Sequence, residues 1–135
     1  LKENIMSNSL AEVHQDLYAA LNEMLAGDSG PVCDVWSPSD DISYAGPFGG
    51  FIVGRELVVA DFERTAAMGL GGRIEISEVH LLSTDDMGYT VCTEHGINHI
   101  INGQPVNLTH RATNIFRREA KGWHLVHHHT DASSA

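Results

Sequence analysis

The stretch Thr113–Asp131, TNIFRREAKGWHLVHHHTD, decides the fold. β-Branched and aromatic residues run up to Arg118 and resume at Trp123, with Glu119-Ala120-Lys121-Gly122 between them as turn chemistry. Two such runs around a short turn read as the arms of a hairpin. Toward the N-terminus the same character holds over Ile74–Leu82, Tyr89–Ile101 and Val106–Arg118. Asp85-Asp86-Met87-Gly88 and Asn102-Gly103 separate these runs, and Asn-Gly suits a two-residue hairpin turn. The second half of the chain is therefore expected to form long antiparallel strands, the last over Trp123–Thr130.

The first half reads differently. Ser9-Leu10-Ala11-Glu12 fits a capping box, in which the serine hydroxyl accepts from the Glu12 amide. Leu10, Val13, Leu17, Leu21 and Met24 then recur at helical spacing, and Gly27 supplies a stop. A short helix is expected over Pro31–Trp36, with proline in its first turn. Ser37–Gly54 is rich in Pro, Gly, Ser and Asp and reads as turns around short strands near Ile42–Ala45 and Phe51–Val53. A third helix fits Arg55–Met68. Helices first and antiparallel strands after define an α+β class. No repeat or linker interrupts the chain, so one domain over residues 1–135 is expected.

Charge narrows the partners. Eighteen acids face eight Lys and Arg, a formal net charge of −10, which phosphate backbones would repel. No nucleic acid partner is expected; Arg111, Arg117, Arg118 and Lys121 read as a solvated hairpin tip. No apolar run approaches the roughly 20 residues of a membrane helix. The opening LKENIMSNSL lacks a signal-peptide pattern, so a cytoplasmic chain without membrane partners is expected. Leu1 is not the usual initiator, which leaves the natural start open. Cys33 and Cys92 lack metal or redox spacing and read as free thiols.

Several segments together carry a resemblance. Ala26-Gly27-Asp28 follows the first helix; Val35-Trp36-Ser37 precedes Gly46-Pro47 and Gly49-Gly50; HRATNIFRR (110–118) and GWHLVHHH (122–129) close the chain. In this order they resemble the nuclear transport factor 2-like superfamily, in its SnoaL-like, ketosteroid isomerase-like branch. The resemblance implies a cystatin-like cone: a curved, largely antiparallel mixed sheet wrapped around N-terminal helices, enclosing a pocket. It also implies a small-molecule ligand and a homodimer through the outer sheet face. Leu125 and Val126, like Ile115 and Phe116, point to opposite faces by alternation, so both faces are expected to need cover.

Register arithmetic proposes a site. A two-residue turn at Asn102-Gly103 sets Glu94 opposite Arg111. A longer loop around Gly122 then sets His129 opposite Arg111 and His127 opposite Thr113. Alternation puts His127 and His129 on one side, with Trp123 and Leu125, and His128 on the other. The expected pocket holds His127, His129 and Glu94 as catalytic candidates. Arg111, Thr113, Trp36, Tyr44 and His95 are its ligand contacts. Arg111 would fix an oxygen and a histidine would shuttle a proton. A buried salt bridge without chemistry is the competing reading of the same cluster.

No cofactor is assigned. Three consecutive histidines cannot chelate one ion from a regular strand; His127 and His129 with Glu94 or His95 could, but no metal is assigned. The steroid-isomerase machinery is not expected either. Its base would fall in the strand before Pro47, where Tyr44-Ala45-Gly46 carries no carboxylate, and Tyr18 lies about half a turn from the family's tyrosine place. Two functions remain open: acid–base chemistry of an isomerase, dehydratase or hydrolase type on a largely apolar molecule, or a non-catalytic binding or dimerisation module.

Overall fold

The structure is a computed structural model that describes residues 9–134. The opening residues read above for a signal peptide lie, up to Asn8, outside the described residues. Ser9 caps α1 (Leu10–Leu25): its Oγ accepts from the Glu12 amide at 3.1 Å. The glutamate carboxylate returns to the serine hydroxyl rather than to the Ser9 amide. Every residue of the expected stripe is buried, from Leu10 to Met24. The helix stops where Gly27 adopts φ 106° and the Asp28 amide turns back to the Glu23 carbonyl at 3.0 Å. Then come α2 (Gly30–Val35), β1 (Ser43–Ala45), β2 (Ile52–Val53) and α3 (Arg55–Ala67).

The long strands are β3 (Arg73–Ser83), β4 (Met87–Ile101), β5 (Gln104–Glu119) and β6 (Gly122–Ala132). They form one mixed six-stranded sheet in the order β2-β1-β6-β5-β4-β3, with only β1–β6 parallel. α1 packs on the sheet's inner face against β3, β4 and β6. The core between them is centred on Val13, Leu17, Trp36, Phe62, Phe116 and Leu125, each at most 2% exposed. This is the open curved α+β sheet around N-terminal helices that the sequence leads one to expect. Among the described residues, no helix is long and apolar enough to cross a membrane.

Two bulges decide which side chains enter the cone. Asn102 and Gly103 make the expected tight turn, with φ of 52° and 77°, and Ile101 pairs with Gln104. The register then slips by one between Gly96 and His99, where Asn98 takes φ 60°. Beyond the slip Glu94 opposes His110, and Arg111 opposes Thr93. A second slip lies between Ile115 and Phe116 of β5, which face His127 and Leu125 and leave Val126 unpaired. A one-residue shift turns the following side chains to the other face. Leu125 and His128 therefore both point inward, while His127 and His129 point outward.

Candidate active site

The cone encloses a cavity of about 440 Å³. Its wall is mainly apolar, with Leu21, Met24, Phe62, Ile74, Ile101 and Leu108 among the lining residues. Tyr44, Glu94 and His128 line it as well, and His99, His110 and Thr130 add polar groups. A more open depression of about 430 Å³ lies on the opposite sheet face beside Arg111, Thr113 and His129. We place the site in the cone, because there the buried Glu94, His128 and Tyr18 converge at a cavity.

The floor is a connected hydrogen-bond network. Tyr18, on the inner face of α1, donates its hydroxyl to Glu94 Oε2 at 2.7 Å. The Tyr18 oxygen accepts from Asn114 Nδ2 at 3.1 Å and from Cys92 Sγ at 3.3 Å. Asn114, fully buried on β5, also donates to Thr90 Oγ1 at 3.1 Å, and that oxygen pairs with His14 Nδ1 at 3.0 Å. Both amide protons of Asn114 are thereby used. Its Oδ1 is left to accept from His128 Nδ1–H. That bond sets the tautomer: His128 Nε2 keeps its lone pair and lies 3.9 Å from Glu94 Oε2.

Burial governs the charges. It pushes the Glu94 carboxyl up to about 7, with the Tyr18 hydrogen bond pulling the other way. Burial and the neighbouring histidines 127, 129 and 110 push His128 down to about 3. Tyr18 is raised by burial and by Glu94, so it remains a donor. Near neutral pH the floor is thus a carboxylic acid poised between its two states beside a neutral imidazole. His110, opposite Glu94, is lowered chiefly by burial and then by His99, with Asp131 opposing.

The expected site residues divide between faces. Glu94 and Tyr44 line the cavity, but Arg111 does not meet Glu94. Arg111 lies on the outer face with its side chain 71% exposed and holds Asp131 at 2.9 and 2.8 Å. His129 opposes Thr113 on that face, and His127 bonds Ser43 Oγ at 2.7 Å. His95 pairs with Ser77 Oγ at 2.8 Å on the outer side of β4. Trp36 is core, edge-on to Tyr44. The physical reason is the bulge at Asn98, which reverses the alternation on β5 and so on β6; the longer loop expected around Gly122 is a two-residue turn, and the bulge at Val126 restores the parity that the longer loop assumed. Polar Arg111, Thr113, His129 and Asp131 also stand on the face expected to be apolar. Among the described residues, no three metal-ligating side chains converge.

Sequence reasoning missed His128, Asn114, Tyr18, Thr90 and His14. Asn98 was the available signal for the first bulge, since asparagine tolerates φ > 0 where β-branched residues do not. Val126 offers no such signal.

A curved mixed sheet closed over an N-terminal helix, with a buried acid and imidazole at its base, defines a cone-shaped pocket protein of the nuclear transport factor 2-like, cystatin-like kind. Residues 11–132 match the model of the SnoaL-like domain, and the chain belongs to that family. Solved structures agree. A candidate dehydratase of the nuclear transport factor 2-like family from Streptomyces avermitilis is 26% identical over 93% of this chain and 94% of its own, with a TM-score of 0.77. A candidate calcium/calmodulin-dependent protein kinase type II association domain from Thiobacillus denitrificans is 23% identical over 96% and 99%, with a TM-score of 0.80. A ketosteroid isomerase-like protein from Erwinia carotovora is 20% identical over 93% and 97%, with a TM-score of 0.72. No curated protein matches the sequence significantly.

Proposed function

We propose that this chain is an acid–base enzyme acting on a small, largely apolar molecule in the cone, with Glu94 and His128 as its proton-transfer pair. The observation that carries this reading is the buried carboxyl of Glu94 set 3.9 Å from Nε2 of His128 at the floor of an open cavity, with burial raising the acid to about 7. A site that tunes an acid up and a base down can hold both in their reactive forms at one pH.

The reaction class that suits the pair is elimination of water or the related isomerisation. His128 Nε2 takes a proton from the carbon beside a carbonyl. Glu94 gives its proton to a departing hydroxyl, which leaves as water. The imidazolium then returns its proton to the carboxylate across the gap between them, directly or through one water. The likeness to a candidate dehydratase supports this class. A fixed ligand cation plays no part: Arg64, at the cavity's mouth, is exposed and already held by Asp61 at 2.8 Å.

The test is the pH profile of dehydration across a panel of β-hydroxy ketones. Activity should be level between about pH 4 and 6 and fall about tenfold per pH unit above about 7, as Glu94 loses its proton. Glu94→Gln should lower kcat by 10²-fold or more, on the order expected for a general acid. Turnover in Glu94→Gln that equals the wild type would sink the reading.

The alternative is a non-catalytic binding module. It is favoured by how fully Tyr18 and Asn114 already satisfy one another. We further propose a homodimer through the outer face and a cytoplasmic location, the dimer to be tested by light scattering.

A further inference from the structure

Tyr44 holds a hydroxyl that the fold makes room for and does not use. Its ring is fixed on three sides. It stacks on His128 at 5.8 Å and 12° between planes, meets Phe62 at 4.7 Å, and lies edge-on to Trp36 at 6.1 Å. β1 pairs with β6 so that Tyr44 lies directly beside His128 in register. The space for its outer end comes from Gly46. A Cβ there would fall 2.6 Å from Tyr44 Cζ and closer still to the hydroxyl oxygen. A side chain at position 46 would therefore force the Tyr44 ring or the backbone beside it to shift.

The two tyrosines of the cone differ in what their oxygens do. Tyr18 donates once and accepts twice, and is spent within the protein. Tyr44 lines the cavity, and no described residue hydrogen-bonds to its hydroxyl. Thr130 lines the same cavity two residues along β6 from His128, on the same face. Its Oγ1 is buried with no partner. A polar group withdrawn from water is costly unless something pairs with it. The Tyr44 hydroxyl is thus unpaired at a cavity whose remaining wall is mainly apolar, with the buried, unpaired Thr130 Oγ1 in a residue of the same wall.

From this geometry we infer that Tyr44 binds an oxygen acceptor of the substrate, a ketone or comparable carbonyl, and that Gly46 is the positioning residue that keeps its hydroxyl in place. The Tyr44 proton stays on the oxygen, since burial first and then Asp61 and Glu94 raise it. Tyr44 accordingly acts by donating a hydrogen bond to a neutral, carbonyl-bearing, otherwise apolar molecule. The inference rests on the cone being the ligand site, as proposed above, but not on Glu94 or His128 reacting.

Acetophenone and α-methylstyrene test it, because they share a shape and differ in C=O against C=CH2. Each is titrated into the wild-type protein, Tyr44→Phe and Gly46→Ala, with backbone amide chemical shifts as the readout. Wild type should bind acetophenone more tightly. Tyr44→Phe keeps the ring contacts and should weaken acetophenone about fivefold, the scale of one neutral hydrogen bond. It should leave α-methylstyrene unchanged, which also shows that the pocket is still folded. Gly46→Ala should lose the same discrimination while Tyr44 remains. Equal affinity of wild type for both probes, or unchanged discrimination in Tyr44→Phe, overturns the inference and leaves the acid–base reading to its pH profile. Binding of neither probe by wild type overturns the cone as ligand site and this inference with it.

Discussion

His128 and His129 are neighbours in sequence and lie in two different chemical environments. His128 is buried, hydrogen-bonded to Asn114 and beside Glu94. His129 is exposed, in ring contact with His127 and in a depression shared with Arg111 and Asp131. The comparison extends along both strands. The inner face of β5 and β6 presents Asn114, His128 and Thr130 in the dark of the cone; the outer face presents Arg111, Thr113 and Asp131 to water. On the inside, burial suppresses charge and hydrogen bonds must be satisfied within the protein. Outside, full charges pair in solvent that screens them. Chemistry that depends on a perturbed acid can be housed only on the first of these faces.

Removing Asn114 should have the largest effect on stability. Asn114→Ala strands the His128 Nδ1–H and one Tyr18 lone pair in a buried site, and leaves Thr90 Oγ1 with His14 alone. Each stranded group costs about 1–3 kcal/mol. With partial rescue by water, a loss of about 3–5 kcal/mol is expected in urea unfolding. A loss under about 1 kcal/mol would mean that the network contributes little and the two faces are energetically alike.

Glu94 gives a smaller effect with a defined pH dependence. Its folded value of about 7 lies above the ordinary carboxyl value of 4.5. Below about pH 4.5 the carboxyl is protonated in both folded and unfolded chains, and nothing is lost. As pH rises from 4.5 to about 7 the unfolded chain gives up this proton while the folded chain keeps it, so stability falls, and the loss is complete once the folded carboxyl ionises. Glu94→Gln carries an amide in place of the neutral acid and escapes that cost. The variant should match wild type near pH 4 and exceed it by up to about 3 kcal/mol above pH 8. His128 is present in both proteins, so its own titration cancels from the difference. Thermal unfolding across that range checks it, and a gap that is flat with pH would show that Glu94 is already ionised in the fold.

How much of this could be read from the chain depends on the residue. The capping box at Ser9, the α1 stripe, the Gly27 stop and the Asn102-Gly103 turn act within a few residues of themselves, and the structure keeps them all. The site depends on the parity of long strands, and parity propagates errors. Counting back from Asn102-Gly103 places Glu94 opposite Arg111, and the extra residue at Ile97–Asn98 moves it opposite His110. Asn98 could have signalled this slip. Val126 could not, because a β-branched residue amid Trp, Leu and His is what an unbroken strand would also contain. Tyr18 and His14 were hidden differently. They sit beside the apolar α1 stripe, and only the paired positions Glu94 and Thr90 across the cone give them a role.

The outer face should give the smallest effect, and it is the sharpest check on the division between faces. The Arg111–Asp131 pair has good geometry, with contacts of 2.9 and 2.8 Å to the two carboxylate oxygens. The hydrogen bond and charge of Arg111 hold Asp131 below its ordinary value, and Asp131 in turn raises Arg111. Yet the side chains are 71% and 51% exposed. Water solvates each charge when its partner is removed, salt screens their attraction, and two long side chains lose rotamer freedom in holding one geometry. Arg111→Ala should therefore melt within error of wild type at physiological salt, with a slight fall at low salt. It should also bind acetophenone as wild type does. Loss of probe binding in Arg111→Ala would place Arg111 inside the cone after all, and with it the register that the bulge at Asn98 replaces.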